Sequence, residues 1–235
     1  MERIKTYIER MDERLEGGIP KGSVSLICGT PGCMKSSLAY SILYKNAVKG
    51  NLKGLYITLE QEISSLKKQM EMLGMQEESE KLAIVDHKMI DKELGTEIRF
   101  ELNLVKKVKY YVDAILKRED YDLIAIDPLN ALYSLTVIKN PRREVYHFFE
   151  GLREKGITSF LISEMNQGDD RFGKYGVEDF LADAIIHLDF KREKDILERY
   201  LGVVKMRCTN HDLQYFPLFY NKDGFVIYTK KEIEL

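Results

Sequence analysis

The chain has 235 residues, a formal net charge of -2, 44% hydrophobic residues and 31% charged residues. This composition is typical of a globular protein with a substantial core, and it excludes a surface that is basic overall, so any nucleic-acid contact must come from a local patch. There is no apolar run long enough to cross a bilayer and no signal peptide at the charged N-terminus, so we expect a cytoplasmic protein with no membrane partner.

Strand-like and helix-like segments alternate along the chain after a glycine-rich turn at 17–22. The apolar, strand-like runs lie at 24–28, 54–59, 81–85, 121–127 and 156–163, and the helix-like stretches between them lie at 35–48, 63–73 and 99–117. Such alternation predicts a mostly parallel sheet that is covered by helices on both faces.

The segment from Ser25 to Tyr40 has the order strand, glycine loop, helix. It follows most of the pattern GxxxxGK[ST], in which backbone N–H groups cradle phosphate oxygens, the lysine reaches the terminal phosphates and the hydroxyl holds Mg²⁺. The helix N-terminus adds its positive dipole end. We therefore assign Ser36 to the metal and the loop to the nucleotide: Gly29, Thr30, Pro31, Gly32, Cys33, Met34, Lys35, Ser36 and Ser37. The alternative is a plain glycine turn with an accidental lysine.

Met34 stands where the pattern expects its second glycine. Its Cβ either narrows the approach of the backbone to the β-phosphate, or shows that this backbone does not need a positive φ. We expect nucleotide binding in both cases. The affinity and the rate of turnover depend on which case holds.

The run from Tyr121 to Asp127 (YDLIAID) contains four consecutive apolar residues and ends at an acid. This pattern predicts a strand that is buried on both faces. A carboxylate at the carboxyl end of such a strand, in a protein with a phosphate loop, is placed to bind the hydration shell of Mg²⁺, as in the Walker B motif. The alternative is an aspartate that caps the turn at Pro128. Since the loop and the acid support each other, we assign Asp127 to the metal.

A polar segment, 164–167, follows the strand-like run 156–163. An amide just past a core strand and beside the γ-phosphate can sense that phosphate and relay its presence to the next loop. On this basis we assign Gln167 to nucleotide binding. An ordinary polar loop explains the residue equally well.

These motifs, in this order, resemble the KaiC-like branch of the RecA superfamily of ATPases, in particular its archaeal members with a single domain. The resemblance covers nearly the whole length, and its supports are the segment 3–12 and the motifs GTPGCMKSS, YITLEQ, LIAID, GVEDFLADAIIHL and KMRCTNH. It implies one RecA-like P-loop NTPase domain over 1–235, with a mostly parallel central sheet, helices on both faces and antiparallel strands at the C-terminal end. It also implies ATP or ADP and Mg²⁺ as cofactors, and a homo-oligomeric, hexameric ring.

The resemblance places the catalytic base at Glu60, which would polarise the water that attacks the γ-phosphate. KaiC has two adjacent acids at this point, whereas Glu60 is followed here by Gln61, so one candidate base remains. Without the family, Glu60 would be interpreted as a cap of the next helix.

The segment KMRCTNH matches the family's KxRxxxH, whose lysine and arginine reach across the subunit boundary to the neighbour's nucleotide. Lys205 and Arg207 inherit that catalytic role by resemblance, and His211 is placed among the nucleotide-binding residues. One residue separates the two cations, so both point to the same face of the predicted strand 200–208. Without the family they would be two solvated side chains on an edge strand.

The resemblance implies a Mg²⁺-dependent ATPase with slow turnover. Self-phosphorylation is not expected, because Asp179 and Phe180 stand where KaiC's second domain has adjacent serine and threonine residues.

The competing class is a nucleotide-gated module that contacts single-stranded DNA or a protein partner, with hydrolysis incidental or absent. The loops at 130–143 and 168–175 correspond to the DNA-binding loops of RecA-like recombinases, and both mix cations with aromatic rings, as a single-strand channel would require. The residues concerned are Tyr133, Lys139, Arg142, Arg143, Arg171, Phe172, Lys174 and Tyr175. Mobile polar loops are equally consistent with this composition.

Overall fold

The computed structural model of the chain describes residues 1–101, 104–134, 140–229 and 232. Its helices and strands are, in chain order, β1 (Arg3–Ile4), β2 (Ile19–Pro20), β3 (Val24–Gly29), α1 (Lys35–Val48), β4 (Gly54–Thr58), α2 (Ile63–Met72), β5 (Leu82–Asp86), α3 (His87–Glu101), α4 (Leu104–Ile115), β6 (Leu123–Asp127), α5 (Leu129–Ser134), α6 (Pro141–Glu154), β7 (Thr158–Glu164), α7 (Glu178–Leu181), β8 (Ala184–Glu193), β9 (Ile196–Met206), β10 (Tyr215–Asn221) and β11 (Gly224–Ile227). A short 3-10 turn at Asp12–Leu15 lies between β1 and β2.

A nine-stranded sheet organises the chain, in the order β11-β10-β9-β8-β3-β7-β6-β4-β5. All neighbours from β8 to β5 in this order are parallel, whereas β9, β10 and β11 add to the other side as antiparallel strands. With helices on both faces, this arrangement confirms the predicted fold class. Among the described residues, no helix is both long and apolar enough to span a membrane.

The central strands are buried on both faces, which explains their unbroken apolar runs. All six residues of β3 are buried. Ile27 faces a core formed with α1 and α2, whereas Leu26 faces a second core formed with α4 and α6. The sheet is thus held rigidly between two helical layers, and the ends of its strands become fixed points for a site.

The helix predicted at 99–117 is confirmed in part. The structure has two helices in this region: α4 lies within the predicted span, whereas α3 begins earlier, at His87. The start of α3 was missed because its charged sequence carries few apolar residues, although Ile90 and Leu94 are buried at helical spacing. Part of the predicted helix, 102–103, lies outside the described residues.

The strand predicted at 200–208 is observed, but with different bounds. The observed β9 begins at Ile196, because it forms a long hairpin with β8, and ends at Met206. Arg207 and Cys208 therefore follow the strand, and Cys208 has a positive φ of 58°.

The carboxyl ends of the parallel strands meet at one edge of the sheet. Thr58 is in register with Asp127, and Gly29 is in register with Glu164. In open sheets of this kind, ligands bind outside the carboxyl ends of the strands. The predicted loop and the predicted acids thus face the same region.

Candidate functional site

The loop between β3 and α1 requires glycine at its first position. Gly29 has a φ of 150°, and a Cβ added to it would lie 2.1 Å from the carbonyl oxygen of Leu188 and 2.8 Å from Sγ of Cys33. Strand β8 and the loop itself thus occupy the space that a side chain would need. Gly32 also has a positive φ, of 85°.

The backbone conformation of Met34 shows whether this position of the loop needs a positive φ. Its backbone is left-handed, with φ 72° and ψ 29°. The interpretation that this backbone does not need a positive φ is therefore wrong. A side chain in this conformation costs about 1–2 kcal/mol, since its Cβ crowds the following carbonyl oxygen. The side chain is partly buried against the core that α1 and α2 share.

The N-terminus of α1 is open towards the loop. Its N-cap residue, Met34, forms no side-chain capping bond, and the first turn contains no acidic residue. The first N–H groups of a helix have no partner within the helix, so here they are available to an anion. Lys35 is 8% exposed and its Nζ donates to the carbonyl oxygen of Thr30 at 2.9 Å. The loop therefore concentrates an ammonium group and N–H donors in one small space.

Asp127 lies close to Ser36 at the end of β6. The Asp127 Oδ2 atom accepts a 2.6 Å hydrogen bond from the hydroxyl of Tyr56, and that hydroxyl also lies 3.5 Å from the carbonyl oxygen of Ser36. Burial raises the pKa of Asp127, while the hydroxyls of Tyr56 and Ser36 and the charge of Lys35 oppose that rise. Burial also raises the pKa of Tyr56 well above its usual value, so this residue is a neutral phenol that donates.

The Asp127 and Ser36 pair fits Mg²⁺. A hydroxyl and a carboxylate are the hard oxygen ligands that this ion prefers. Among the described residues there is no cluster of three or more His, Cys, Asp or Glu side chains that could cage a metal. In proteins that bind nucleotides, Mg²⁺ commonly uses one or two protein oxygens and completes its shell with substrate phosphates and water.

Glu60 lies just past the end of β4, on the same edge of the sheet. Burial raises the pKa of Glu60, and the charges of Glu164 and Asp127 raise it further. The N-cap of α2 is Glu62, so Glu60 is not the residue that starts this helix. The carboxylate is thus placed among other acids rather than used as a cap.

Glu164, at the end of β7, is an acid that the sequence analysis did not assign. It lines a cavity of about 290 Å³ together with Glu60 and Asn130. The side chain of Asn130 fixes the backbone of Glu164: it donates to the Glu164 carbonyl oxygen at 3.2 Å and accepts from the Glu164 N–H at 3.1 Å. The reasoning that selected Asp127, an acid at the end of a buried strand, would have selected Glu164 too.

Gln167 lies three residues past the end of β7, and its side chain is exposed. Asn166, the residue before Gln167, lines the cavity beside Glu60. The structure therefore places Glu164 and Asn166 beside Glu60, whereas Gln167 is not among the residues that line this cavity.

A larger cavity, of about 620 Å³, opens beside the phosphate loop between α1 and α2. Its lining residues are Gly32, Met34, Lys35, Ser36, Ser37, Ser65, Lys68, Gln69, Met72, Leu73 and Arg199. Arg199 was not predicted. It reaches the cavity because the β8–β9 hairpin continues past the end of β3, and its guanidinium stacks on Phe190 at 5.6 Å. No local pattern marks such a residue, since its position depends on the pairing of the hairpin.

Lys205 and Arg207 are not near the phosphate loop of their own chain. The main-chain N–H of Arg207 donates to the carbonyl oxygen of Asp183. The N–H of Asp183 donates in turn to the carbonyl oxygen of Val24, at the start of β3. From Val24 to Gly29 a strand rises about 16 Å. A single chain therefore does not bring these cations together with Lys35 and Asp127. His211 lies beyond β9, with Nδ1 3.2 Å from the carbonyl oxygen of Asp212.

The two cations share one side of the molecule. Lys205 Nζ donates to the carbonyl oxygens of Asp179 and Phe180, at 3.0 and 3.2 Å. Arg207 donates to Asp183 Oδ1 at 2.9 Å and to the same Phe180 oxygen at 3.1 Å. Burial and the charge of Arg207 lower the pKa of Lys205. Both side chains are held by α7 and the residues after it, which differs from free solvation at a sheet edge.

The two loops compared with a DNA channel use most of their aromatic rings internally. Tyr133 is 4% exposed and packs edge to face on Tyr175, with centroids 5.1 Å apart. Phe172 packs on His187 at 5.2 Å. Arg171 forms a bidentate pair with Asp169, at 2.9 and 2.8 Å. Another residue of this set, Lys139, lies outside the described residues.

A family model described as "ATPase: KaiC" matches residues 4–232 of the chain. A UPF0273 protein of Methanocaldococcus jannaschii is 32% identical, and the match covers 100% of both chains. The circadian clock protein KaiC2 of Synechocystis sp. is 26% identical over 94% of this chain and 39% of its own length. Among solved structures, a KaiC-like protein of the hyperthermophilic archaeon Pyrococcus horikoshii superposes with a TM-score of 0.81 and 26% identity, covering 97% of this chain and 99% of its own.

Proposed function

The chain belongs to the KaiC family of ATPases, and from this we propose that it binds ATP with Mg²⁺ beside the phosphate loop and hydrolyses it slowly. The observation that supports the proposal best is that Asp127 and Ser36 lie close together at the open end of α1, with the Tyr56 hydroxyl between them. The two side chains would give Mg²⁺ two oxygen ligands next to Lys35, as phosphoryl transfer from a metal-bound nucleotide requires.

The phosphate loop would bind the nucleotide through its backbone. The N–H groups at the start of α1 and in the loop would donate to the β- and γ-phosphates, with the helix dipole adding to the attraction. Lys35 would exchange the neutral carbonyl of Thr30, its present acceptor at 2.9 Å, for phosphate oxygens. A charged acceptor makes the stronger hydrogen bond, so the exchange favours the bound state.

Ser36 and Asp127 would hold Mg²⁺, which when bound neutralises charge on the phosphates. Glu60 would accept a proton or a hydrogen bond from the attacking water and orient it in line with the γ-phosphate. The raised pKa of Glu60 suits this role, because a carboxylate of higher pKa is a stronger base.

The cations at the far end of β9 would act in a neighbouring subunit. Lys205 and Arg207 stand at the opposite edge of the sheet from their own loop, so they would reach a nucleotide only across an interface. A ring of identical subunits, hexameric in our proposal, would place each pair at the next subunit's γ-phosphate. A cation supplied in this way contributes about 10³–10⁵-fold in rate in related phosphoryl transfer.

Two substitutions test the proposal together. Lys35→Ala should abolish binding of a fluorescent ATP analogue, because it removes the mobile cation of the loop. Glu60→Gln should leave binding intact and abolish phosphate release, since it keeps the shape and loses the proton acceptor.

Matched controls are available on the same elements. Lys49→Ala changes a lysine at the other end of α1, and Glu62→Gln changes an exposed acid whose partner is Lys88. Both should behave as the parent protein. Unchanged affinity in Lys35→Ala would refute the site, while tight binding without phosphate release in the parent protein would favour the nucleotide-gated module instead.

A further inference from the structure

Tyr56 contributes a buried hydroxyl to the metal-binding end of the sheet. It lies in the middle of β4 and is 0% exposed. The hydroxyl is 2.6 Å from Asp127 Oδ2 and 3.5 Å from the carbonyl oxygen of Ser36. A length of 2.6 Å is typical of a hydrogen bond from a hydroxyl to a charged carboxylate, which is about twice as strong as a bond between neutral groups.

The ring of Tyr56 cannot move freely, because packing fixes it. Tyr40 of α1 lies against it with centroids 5.4 Å apart, and both rings belong to the core that α1 and α2 share. A side chain fixed by packing holds its polar atom in one place, so the direction of the bond to Asp127 is set before any ligand arrives.

A purely apolar role does not explain the hydroxyl. Phenylalanine would fill nearly the same volume without placing a polar atom in the core, where an unbonded hydroxyl costs about 1–3 kcal/mol. The hydroxyl at this position is compensated by its bond to Asp127. The sequence therefore retains a donor at the point where the carboxylate needs an orientation.

We propose that Tyr56 is a positioning residue for the metal-binding carboxylate. Its hydroxyl holds Oδ2 of Asp127 and thereby keeps the carboxylate turned so that it and Ser36 can share Mg²⁺. This inference rests on the proposed function. It adds that strand β4 contributes to metal binding through Tyr56, as well as supplying Glu60 just past its end.

The test is Tyr56→Phe in the full chain, which removes one oxygen and keeps the ring. Binding of a fluorescent ATP analogue is titrated at increasing Mg²⁺ concentrations and, separately, in EDTA. We expect the half-saturating Mg²⁺ concentration to rise about tenfold, the effect of losing one hydrogen bond to a charged group. The affinity measured in EDTA should stay within about twofold of the parent, because the loop and Lys35 are unchanged.

Tyr40→Phe is the matched control. It makes the same chemical change in the neighbouring ring, which contacts Tyr56 but lies on α1. We expect its Mg²⁺ dependence to equal that of the parent. A tenfold rise in this variant as well would attribute the effect to ring packing and would overturn the proposal.

A double-mutant cycle with Asp127→Asn supplies an independent readout. If Tyr56 acts through Asp127, the substitution Tyr56→Phe should have no further effect on the Mg²⁺ dependence once Asp127 is Asn. Additive effects of the two substitutions would overturn the proposal. An equal loss of affinity with Mg²⁺ and in EDTA would also overturn it, because it would indicate general damage to the fold.

The proposed function and the role of Tyr56 fail in different ways. A parent protein whose nucleotide affinity does not depend on Mg²⁺ would overturn the metal site itself. A parent with Mg²⁺-dependent binding and a Tyr56→Phe variant that matches it would overturn the role of Tyr56 alone.

Discussion

Gly29→Ala should lower the free energy of unfolding of the protein, because the added Cβ forces β3 and β8 apart. The added Cβ would lie 2.1 Å from the Leu188 carbonyl oxygen, more than 1 Å inside ordinary contact, and the obstacle is backbone that cannot rotate away. We expect overpacking to cost about 1–3 kcal/mol. The φ of 150° adds about 1–3 kcal/mol of strain for a residue with a side chain. The sum is a loss of about 2–6 kcal/mol.

Urea unfolding monitored by circular dichroism measures this loss. With a denaturant slope of about 2 kcal/mol per M, the midpoint should fall by about 1–3 M. Gly156→Ala is the control, because Gly156 also has a positive φ, of 67°, but a Cβ added there meets nothing within 4 Å. It should lose only about 1–2 kcal/mol of backbone strain. If Gly29→Ala lost no more than Gly156→Ala, the close approach of β8 to the loop would be refuted.

Three further predictions concern the site. Glu164→Gln removes a charge that raises the pKa of Glu60, so the acid limb of the pH–rate profile should move to lower pH, and a limb that stays in place would contradict the pairing of these acids. Arg207→Ala and Glu60→Gln subunits should each be inactive alone and should regain phosphate release when mixed, provided that a labelled-subunit assay shows exchange; full activity of Arg207→Ala alone would exclude action across an interface. Met34→Gly should bind a fluorescent ADP analogue more tightly, because it removes the Cβ that narrows the approach of the backbone to the β-phosphate. Its free energy of unfolding should stay within about 1 kcal/mol of the parent, because the relief of strain is offset by the chain entropy of glycine. Unchanged affinity would show that the methionine is neutral.

Local patterns were enough to predict the central sheet and the loop at its edge. An apolar run such as 24–28 has one stable environment, a strand covered on both faces, and the glycines and lysine that follow restrict the turn after it. The acid at the end of β6 could be assigned for the same reason. Its strand is identified by its own residues, and the carboxyl ends of parallel strands meet at one edge.

The partners of these residues depend on strand order and register, which local patterns do not encode. In the sequence, Tyr56 is one residue of an apolar, strand-like run. Only the pairing of β4 with β6 brings its hydroxyl within hydrogen-bonding distance of Asp127. Glu164 likewise gained its position from the parallel register of β7 with β3.

The distance of each β9 residue from the phosphate loop could not be predicted from local sequence patterns either. Lys205 and Arg207 were assigned by resemblance to the nucleotide of a neighbouring subunit, and the antiparallel course of β9 shows where they lie in their own chain, at the far edge of the sheet from the phosphate loop. Arg199, on the same strand, reaches that loop because the hairpin turns back over it. A motif constrains the chemistry of a few neighbouring residues, whereas the spacing between motifs is set by backbone hydrogen bonds between strands that are far apart in the chain.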